Sequence, residues 1–592
     1  MLRSKTRSPV DTANAAAEQP IFYRSIREFL GQLPGVSQRF WVLVVTTGVI
    51  SGLGAVALLQ LLDVVKQLAW GGGATFLEAF HRASPTRRVI VPAIGGLLVT
   101  GAMFVVKKRL GGHGTSGIIE AIWVHQGRLK LGRALLRGTL AIVSVGMGAS
   151  LGREGALLQT GAAAGSWLAD RFRITRRQAR LLVACGAASG LAAAYNVPIG
   201  GALFGLEVLL GSFALELFGP VVVSCVTATI ITRVVLGPSP SYVSPAYELM
   251  RPREVLLGLL LAPLLGAAAA LFVKVMGWIE VQLYRVKPGP ARFLPPLAMT
   301  LLGFAAIRFP DLLGNGYDTV QAALLGKVPL VLLLALPFMK LAATALCAGS
   351  GVPGGLFTPS IFYGALLGGG LGQLLERLVP SIHVPPGAFA LMGMAGSLAG
   401  TTHAAVSAVL IIFELTGDYG VVLPLMLSSA VAAATSRALE TDSLYTAPLR
   451  RRGVKLPELP RPEWLRATPV SALLSRDAER CNPETPFRTL LPRLLSLPSG
   501  QDLYVVGPDG ELLGIVALDA LKGTISDESL LSMIVAADVM DDTRAPITNH
   551  MTLAEVASRF ADADLERLPV VDENHRLIGT VSKRDLLKHG RF

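Results

Sequence analysis

Charged residues are scarce in this sequence. They make up 16% of the 592 residues, whereas 52% are hydrophobic, and the mean hydropathy is +0.54. An ordinary soluble enzyme carries more charge, so this composition excludes that class and indicates many membrane segments. Cysteine is also scarce, and its spacing forms no metal or redox motif. The four cysteines are Cys185, Cys225, Cys347 and Cys481.

Two further absences narrow the function. None of the eight histidines precedes a glutamate, so the zinc motif H-E-x-x-H is missing and a membrane metalloprotease is set aside. No nucleic-acid motif accompanies the net charge of +13, and basic residues cluster at the ends of apolar segments, as at Lys107 to Arg109 and Arg450 to Arg452. We interpret this charge as flanks of membrane helices and as a field that favours anions. We therefore expect no nucleic-acid partner.

The start of the chain has no signal peptide. Its first 20 residues are polar and lack both an apolar core and a small-residue cleavage site. We expect residues 1–39 to be a cytoplasmic segment, and the first apolar helix to act as its own insertion signal. Both ends carry basic residues, so we predict cytoplasmic termini in a multi-pass protein of the plasma (inner) membrane of a prokaryote.

Long apolar segments fill the chain from residue 40 to about residue 450. Several are too short or too interrupted by glycine and proline to cross a hydrocarbon core of roughly 30 Å unaided. Such backbone is tolerated at that depth only inside protein or beside water, so we predict a thick bundle of tilted and broken α-helices. The apolar segments are 40–68, 89–106, 134–150, 154–169, 179–194, 198–217, 219–236, 254–284, 290–308, 329–347, 356–379, 385–399, 401–416 and 420–437.

Two stretches in corresponding positions of two halves resemble each other. Gly152 to Gly165 reads G-R-E-G-A-L-L-Q-T-G-A-A-A-G, and Gly355 to Gly368 reads G-L-F-T-P-S-I-F-Y-G-A-L-L-G. Such a pair is typical of repeat-built transporters, whose binding site lies where the broken helices meet. A helix N-terminus with its free N–H groups suits an anion. The alternative is that these glycines only allow membrane helices to pack closely.

The character of the sequence changes near residue 450. Residues 451–464 form a basic and proline-rich linker, and beyond it short strand-like runs alternate with amphipathic helices. The strands Leu503 to Val506 and Leu512 to Val516 recur as Leu568 to Val571 and Leu577 to Val581. We predict a membrane domain over 40–450 and a soluble tandem repeat over 465–592, with repeats at about 467–525 and 533–590.

Four short motifs occur in order within the membrane region, and together they resemble the CLC family of chloride channels and proton-coupled anion exchangers. The C-terminal repeat is similar to a pair of CBS domains. The resemblance implies a CLC-type inverted repeat followed by an α/β tandem CBS domain. The motifs are T-S-G-I-I-E at Thr115 to Glu120, G-R-E-G-A at Gly152 to Ala156, G-G-L-F-T-P at Gly354 to Pro359 and S-L-Y at Ser443 to Tyr445.

Glu154 is an acid among Gly, Ala and Leu, and an ionisable residue inside a membrane is functional by default. The alternatives are a salt bridge to Arg153 or an interfacial position. The resemblance gives Glu154 a gating role, in which the carboxylate occupies an anion site and leaves it when protonated. It also implies a set of anion-binding residues. These are Ser116, Gly117, Ile118, Gly152, Arg153, Gly155, Leu356, Phe357 and Tyr445.

Each of these roles has a simpler alternative. Ser116 stands before an apolar stretch, where serine commonly caps a helix. Phe357 would otherwise be a core residue, and Tyr445 a tyrosine of the membrane interface. The sequence also departs from the resemblance, because Ile119 and Ala156 stand where the family usually has proline. We expect this loss of rigidity to affect fine ion selectivity and not the existence of the site.

Glu207 is the candidate for a proton pathway, since proton relays in membranes use ionisable side chains. Family exchangers often carry a second, inward-facing glutamate at the next position, where this chain has Val208. We therefore predict a voltage- or pH-gated channel for chloride or similar monovalent anions, and not an enzyme. A proton-coupled antiporter with the same anion sites is the alternative.

The resemblance extends to partners and cofactors. It implies a homodimer, and we expect the small-residue helix from Gly200 to Gly211 to pack between subunits. No cofactor is required. In the second CBS repeat, Ser582 and Asp585 would contact the phosphate and ribose of an adenine nucleotide. Two purely structural CBS repeats are the alternative, because the first repeat has Ala517 in place of the hydroxyl.

Overall fold

The computed structural model divides into two compact units, Met1–Pro457 and Glu458–Phe592. Residues 1–35 and nearly all of the predicted linker lie outside the described part of the chain. The structure describes residues 36–73, 75–106, 114–237, 242–245, 252–379, 385–454, 468–497, 501–517, 534–541, 546–562 and 566–589.

In the described part of the first unit, the helices fall into two successive series of nine. The first series is α1 (Val36–Trp70), α2 (Phe76–Arg82), α3 (Pro85–Val106), α4 (Gly114–Trp123), α5 (Leu131–Gly146), α6 (Glu154–Phe172), α7 (Arg176–Tyr195), α8 (Pro198–Phe204) and α9 (Leu215–Leu236). The second is α10 (Pro252–Tyr284), α11 (Pro288–Ala291), α12 (Leu294–Arg308), α13 (Tyr317–Leu324), α14 (Leu330–Ser350), α15 (Phe357–Leu378), α16 (Pro386–Thr402), α17 (Ala405–Thr416) and α18 (Val422–Leu439). A short helix, α19 (Ala447–Arg451), closes the unit.

Helix length in this unit varies as the broken apolar pattern predicts. Among the helices that the structure describes, six are long and apolar enough to cross a membrane. Others, such as α8 and α17, are much shorter, and α8 continues as a π-helix over Gly205–Leu210. The six long segments are Gln38–Trp70, Pro85–Val105, Leu215–Leu236, Gly258–Tyr284, Leu330–Ser350 and Tyr419–Leu439.

The same helix packing occurs in both series. Helix α6 crosses α7 where Gly161 meets Gly186, and a Cβ atom on Gly161 would lie 2.0 Å from the carbonyl oxygen of Gly186. Helix α15 crosses α16 where Gly364 meets Gly393, and the equivalent distance is 2.1 Å. Both helix pairs are therefore in backbone contact that only glycine permits. The repeat predicted from the two glycine-rich stretches thus extends to three-dimensional packing.

The second unit contains two three-stranded sheets of equal topology. One sheet has the order β1 (Arg480–Cys481), β2 (Leu503–Val506), β3 (Leu512–Val516), and the other β4 (Ile547–Thr548), β5 (Arg567–Val571), β6 (Leu577–Ser582). In each sheet the first pair of strands is parallel and the second antiparallel. The described helices are α20 (Phe487–Ser496), α21 (Ala536–Val539), α22 (Leu553–Asp562) and α23 (Lys583–His589).

Candidate functional site

Two glycines join the N-termini of α6 and α15 at the centre of the membrane unit. The N–H of Gly152 donates to the carbonyl oxygen of Gly355, and the N–H of Gly355 donates back to that of Gly152, both at 2.8 Å. These residues occupy equivalent positions in the two glycine-rich stretches. The resulting antiparallel bridge holds the two helix N-termini face to face. Such ends carry partial positive charge, so the arrangement favours an anion between them.

The side chain of Glu154 fills the space beside this bridge. A Cβ atom on Gly152 would lie 2.0 Å from one carboxylate oxygen of Glu154, and a Cβ atom on Gly355 would lie 2.1 Å from the other. Neither glycine has a positive φ angle. Glycine is therefore needed here for space and not for backbone conformation.

Four donors surround the buried carboxylate of Glu154, which is 1% exposed. Its Oε1 accepts the N–H groups of Phe357 at 2.8 Å and Thr358 at 3.3 Å, at the start of α15. Its Oε2 lies 2.9 Å from the hydroxyl of Thr358 and 3.0 Å from that of Tyr195. The carboxylate thus occupies the position at the N-terminus of α15 that an anion would take.

Arg153 does not neutralise Glu154. Its Nη2 donates to the carbonyl oxygen of Ala194 at 3.2 Å, and its guanidinium lies over the ring of Tyr195 at 5.4 Å. Within the described ranges, the carboxylate of Glu154 forms no ion pair. The ion-pair alternative considered from the sequence is therefore wrong. Hydrogen-bond donors, two of them N–H groups at the N-terminus of α15, stabilise the carboxylate instead.

Ser116 is the third residue of α4 and not its cap. Its hydroxyl donates to the carbonyl oxygen of Tyr445 at 2.7 Å, and both residues are buried. The N-cap alternative is thus wrong, because α4 already begins at Gly114. The contact brings the first and last of the four sequence motifs together.

A row of aromatic rings connects this contact to Glu154. The ring of Phe204 lies 6.0 Å from that of Tyr445 and 6.3 Å from that of Phe357, edge to face in both pairs. The ring of Phe357 lies 5.5 Å from that of Tyr195, whose hydroxyl reaches Glu154. Ser116, Tyr445, Phe357 and Glu154 therefore belong to one site.

Sequence reasoning missed three members of this site. Tyr195 and Phe204 lie in the segment Y-N-V-P-I-G-G-A-L-F, shortly before Glu207, and Thr358 follows Phe357 directly. A buried hydroxyl beside a membrane carboxylate is a recognisable signal, but sequence alone does not show which hydroxyls converge.

The other predicted anion ligands lie nearby. Ile118 and Leu356 are buried, and Gly155 faces the backbone of Gly354, 3.1 Å from a Cβ placed on it. Gly117 lines a cavity of about 740 Å³ that reaches exposed residues at the far end of α4. Charged residues line this cavity beside Gln159 of α6. They are Glu120, Arg128, Lys130, Arg133 and Asp170.

Glu207 lies apart from these residues and caps another helix. Its carboxylate accepts the N–H of Ser407 at 2.7 Å and the hydroxyl of Ser407 at 2.6 Å, at the start of α17. Val208 is half-buried and packs against the main hydrophobic core. The structure thus gives Glu207 a helix-capping contact and leaves an apolar side chain at the next position.

In the second unit, Ser582 and Asp585 contact each other. Ser582 is 7% exposed, and its hydroxyl accepts the N–H of Asp585 at 3.0 Å, as in a helix cap. The corresponding stretch of the first repeat, residues 518–533, lies outside the described residues. Among the described residues, no group of three or more His, Cys, Asp or Glu side chains could hold a metal ion.

A twice-repeated bundle of broken membrane helices, with two helix N-termini at one buried carboxylate, defines a membrane transport protein with a site for anions. Residues 95–437 match the family described as voltage gated chloride channel, and residues 535–591 match the CBS domain. The first match covers more than half of the chain. The protein therefore belongs to the CLC family, whose members are channels and transporters, and it is an integral multi-pass membrane protein.

Bacterial relatives agree with this assignment. A ClcB-like protein of Ralstonia nicotianae is 37% identical over 443 residues, which are 72% of this chain and 99% of that protein. The voltage-gated ClC-type chloride channel ClcB of Citrobacter koseri is 33% identical over 374 residues, 63% of this chain and 89% of the relative.

Solved structures share the fold at lower identity. A slow cyanobacterial Cl⁻/H⁺ antiporter is 24% identical with a TM-score of 0.64, over 70% of this chain and 98% of that one. A eukaryotic CLC transporter is 20% identical with a TM-score of 0.64, over 93% of this chain and 98% of that one. These two similarities concern the fold alone.

Proposed function

We propose that this protein conducts chloride or a similar monovalent anion along a pathway gated by Glu154. The observation that carries the proposal is the position of its carboxylate, which accepts the N–H groups of Phe357 and Thr358 where a permeant anion would bind. Protonation removes the negative charge that these donors stabilise. The side chain then leaves the helix terminus, and an anion takes its place.

On the other side of the aromatic row, Ser116 and Tyr445 form the second anion-binding region of the proposal. The hydroxyl of Ser116 donates its single proton to the carbonyl oxygen of Tyr445 in this structure. A bound anion requires that proton, so binding involves rotation of the Ser116 hydroxyl away from the carbonyl. The phenol of Tyr445 would supply a further donor.

A channel is the mechanism that we favour. Strict exchange needs a titratable group that passes protons between the inner solution and Glu154. Val208 has no such group, and the carboxylate of Glu207 is engaged at the start of α17. Both features support anion conduction with weak or no proton coupling.

A Cl⁻/H⁺ antiporter is the second candidate. The two hydroxyls that meet at Oε2 of Glu154 favour it. The hydroxyls of Tyr195 and Thr358 could exchange protons with Glu154 directly. This holds for any route that carries protons from the inner solution to Glu154.

Anion flux from proteoliposomes distinguishes these candidates. Vesicles are loaded with chloride, an outward chloride gradient is imposed, and external chloride and pH are recorded together. Chloride efflux without proton movement is the result expected for a channel. Uphill proton movement at a fixed chloride-to-proton ratio, insensitive to voltage, would overturn the channel proposal. A reversal potential that follows potassium would overturn anion selectivity altogether.

We further propose a homodimer with one pathway per subunit, in the plasma membrane of a prokaryote with both termini cytoplasmic. Packing of the helix from Gly200 to Gly211 between subunits stays a prediction, although three of its glycines contact residues of the same chain. Gly200 faces Ile411, Gly201 faces Ala192 and Gly205 faces Ala188, all within one chain. Crosslinking in mild detergent tests the dimer, and a purely monomeric product would contradict it.

Binding of an adenine nucleotide to the CBS repeats is a separate proposal. It is supported by the match to a CBS domain and by the position of Ser582 at the start of α23. Equilibrium binding of radiolabelled ATP, with Ser582→Ala as the comparison, tests it. Binding that the substitution leaves unchanged would remove Ser582 from the site.

A further inference from the structure

A second, smaller cavity lies away from Glu154, where α6 ends and α7 begins. Its volume is about 260 Å³, and the connection between α4 and α5 forms its remaining wall. Three arginines line it: Arg128 from that connection, Arg173 from the end of α6 and Arg176 from the start of α7. Asp170 is the single acidic residue in the lining. The cavity therefore carries an excess of positive charge.

These three arginines are exposed, and the described residues include no partner for their charge. In the described parts of the chain, no guanidinium hydrogen bond or ion pair is formed by Arg128, Arg173 or Arg176. Nearby arginines differ, because Arg177 pairs with Glu216 at 2.6 Å and Arg180 lies over the ring of Trp123. The cavity thus brings together three arginines whose charge no described protein group pairs.

The backbone that carries Arg128 is fixed before any ligand binds. Gln126 and Gly127 are left-handed, with φ angles of 55° and 82°. A Cβ atom on Gly127 would lie 2.9 Å from the carbonyl carbon of Ala179, so this turn packs directly on α7. Two residues later, the N–H of Leu129 donates to the hydroxyl of Ser166 of α6 at 2.8 Å. Arg128 is therefore held between two anchored points.

Arg173 is fixed in a similar way. It also has a left-handed φ angle, of 50°, and its N–H donates to the carbonyl oxygen of Ala169 to end α6. A non-glycine residue pays an energetic penalty in this region, and the surrounding packing maintains it. The direction in which Arg173 leaves the helix is thus set by the fold.

The cavity lies at the level where a membrane span begins. Ala169, which lines it, belongs to an apolar cluster that includes Phe40 of α1. The apolar span of α1 starts at Gln38, and Trp41 beside it is 40% exposed, as is typical of the membrane–water interface. The arginines are therefore within reach of lipid headgroups and of the aqueous phase.

We propose that this cavity binds a phosphate group through Arg128, Arg173 and Arg176. The planar guanidinium matches phosphate oxygens two at a time, and basic pockets between membrane helices suit anionic headgroups. Two sources have this chemistry: an anionic phospholipid of the surrounding leaflet, and a soluble phosphate. In the described part of the chain, the residues of this cavity form no hydrogen bond with Glu154 or Ser116, although Arg128 and Asp170 also line the larger cavity that Gly117 lines.

The test uses the full-length protein, stripped of lipid in detergent. Binding of phosphatidylglycerol, phosphatidylcholine and inorganic phosphate is measured by native mass spectrometry and by the shift of the thermal unfolding midpoint. We expect phosphatidylglycerol to bind more tightly than phosphatidylcholine. The double substitution Arg173→Gln/Arg176→Gln weakens binding about tenfold per arginine, the size of a charge-assisted hydrogen bond. Competition by inorganic phosphate identifies a soluble ligand, and its absence identifies the lipid.

A matched control variant distinguishes binding at this site from non-specific attraction to exposed basic residues. Arg377 is an exposed arginine in the last turn of α15, the helix that corresponds to α6 in the second series. Arg377→Gln leaves binding unchanged, whereas Arg128→Gln, on a separate segment, weakens it even if the double variant fails to fold. Equal binding by the wild type and Arg128→Gln, or an equal loss in Arg377→Gln, would overturn the proposal.

Discussion

Glu207 and Glu414 each cap the helix that carries the other. Glu207 follows α8 and accepts the N–H of Ser407 at the start of α17, at 2.7 Å. Glu414 lies in α17 and accepts the N–H of Gly200 at the start of α8, at 2.6 Å. A carboxylate at a helix N-terminus is favourable, so the two contacts join corresponding helices of the two series. The sequence indicates Glu207 as a candidate for a proton pathway and does not predict this reciprocity.

The reciprocal caps predict equal effects of two substitutions. Glu207→Gln and Glu414→Gln each remove one capping charge, and we expect each to lower the free energy of unfolding by about 1–2 kcal/mol. Thermal unfolding in detergent and chloride-driven proton movement are measured on both variants. If Glu207 relays protons instead, Glu207→Gln will alter proton movement while Glu414→Gln will not.

Substituting Gly355 by alanine should open the pathway. The new Cβ atom would lie 2.1 Å from Oε1 of Glu154, so the carboxylate has to leave its position. We expect chloride flux at neutral pH to rise toward its acidic level. Gly132→Ala is the control, because nothing lies within 4 Å of a Cβ atom at that residue of α5. Unchanged flux in a folded Gly355→Ala variant would speak against occupation of the pathway by Glu154.

Glu154→Gln imitates the protonated gate. Hydrogen bonds to a charged group contribute roughly 1 kcal/mol more than those to a neutral one, so the side chain should hold its position about fivefold less strongly. We expect chloride flux at neutral pH to increase by about that factor and to lose its pH dependence. Flux is recorded at a series of pH values from acidic to neutral. A pH profile like that of the wild type would remove Glu154 from gating.

The hydroxyls of Tyr195 and Thr358 should act together on Glu154. Three oxygen–oxygen contacts join them to Oε2 and to each other, at 3.0, 2.9 and 2.5 Å. The two hydroxyls supply only two protons, so one contact lacks a proton while Glu154 is ionised. Tyr195→Phe and Thr358→Val should each raise flux at neutral pH, and their effects should not add. Additive effects would indicate independent roles.

Thr402→Val is a suitable comparison for these hydroxyl variants. The buried hydroxyl of Thr402 bonds to the carbonyl oxygen of Leu398 in its own helix. The substitution therefore removes a hydroxyl without touching Glu154, and flux should stay at the wild-type level.

Val208→Glu tests the inward half of a proton route. A carboxyl group at this half-buried position supplies the titratable group that the chain lacks. We expect at most partial proton coupling in the liposome assay, because a relay also needs a hydrated path to Glu154. Val208→Gln, of similar size and polarity, should give none. If the wild type already couples proton movement fully to chloride movement, the channel proposal is wrong. The Val208→Glu variant then gives no further information.

The sequence predicted the fold and the family well, because both depend on patterns along the chain. Apolar segments marked most helices to within a few residues, and the paired glycines marked the repeat. The contacts of Glu154 were harder to predict from the sequence. Whether Arg153 turns toward Glu154 or toward the ring of Tyr195 depends on helix packing across distant segments. The role of Thr358 likewise depends on the bridge that aligns α15 with α6.

The bridge between Gly152 and Gly355 has a consequence for mutational robustness. The donors that face the site include the backbone N–H groups of Phe357 and Thr358, which substitution of a side chain does not remove. Side chains around the site can therefore be substituted with little loss of these hydrogen bonds. Ile119 and Ala156 are examples, and both are buried. The vulnerable positions are those where any Cβ atom is too large. Selection on this site should act most strongly against the smallest possible change, the addition of one methyl group to either glycine.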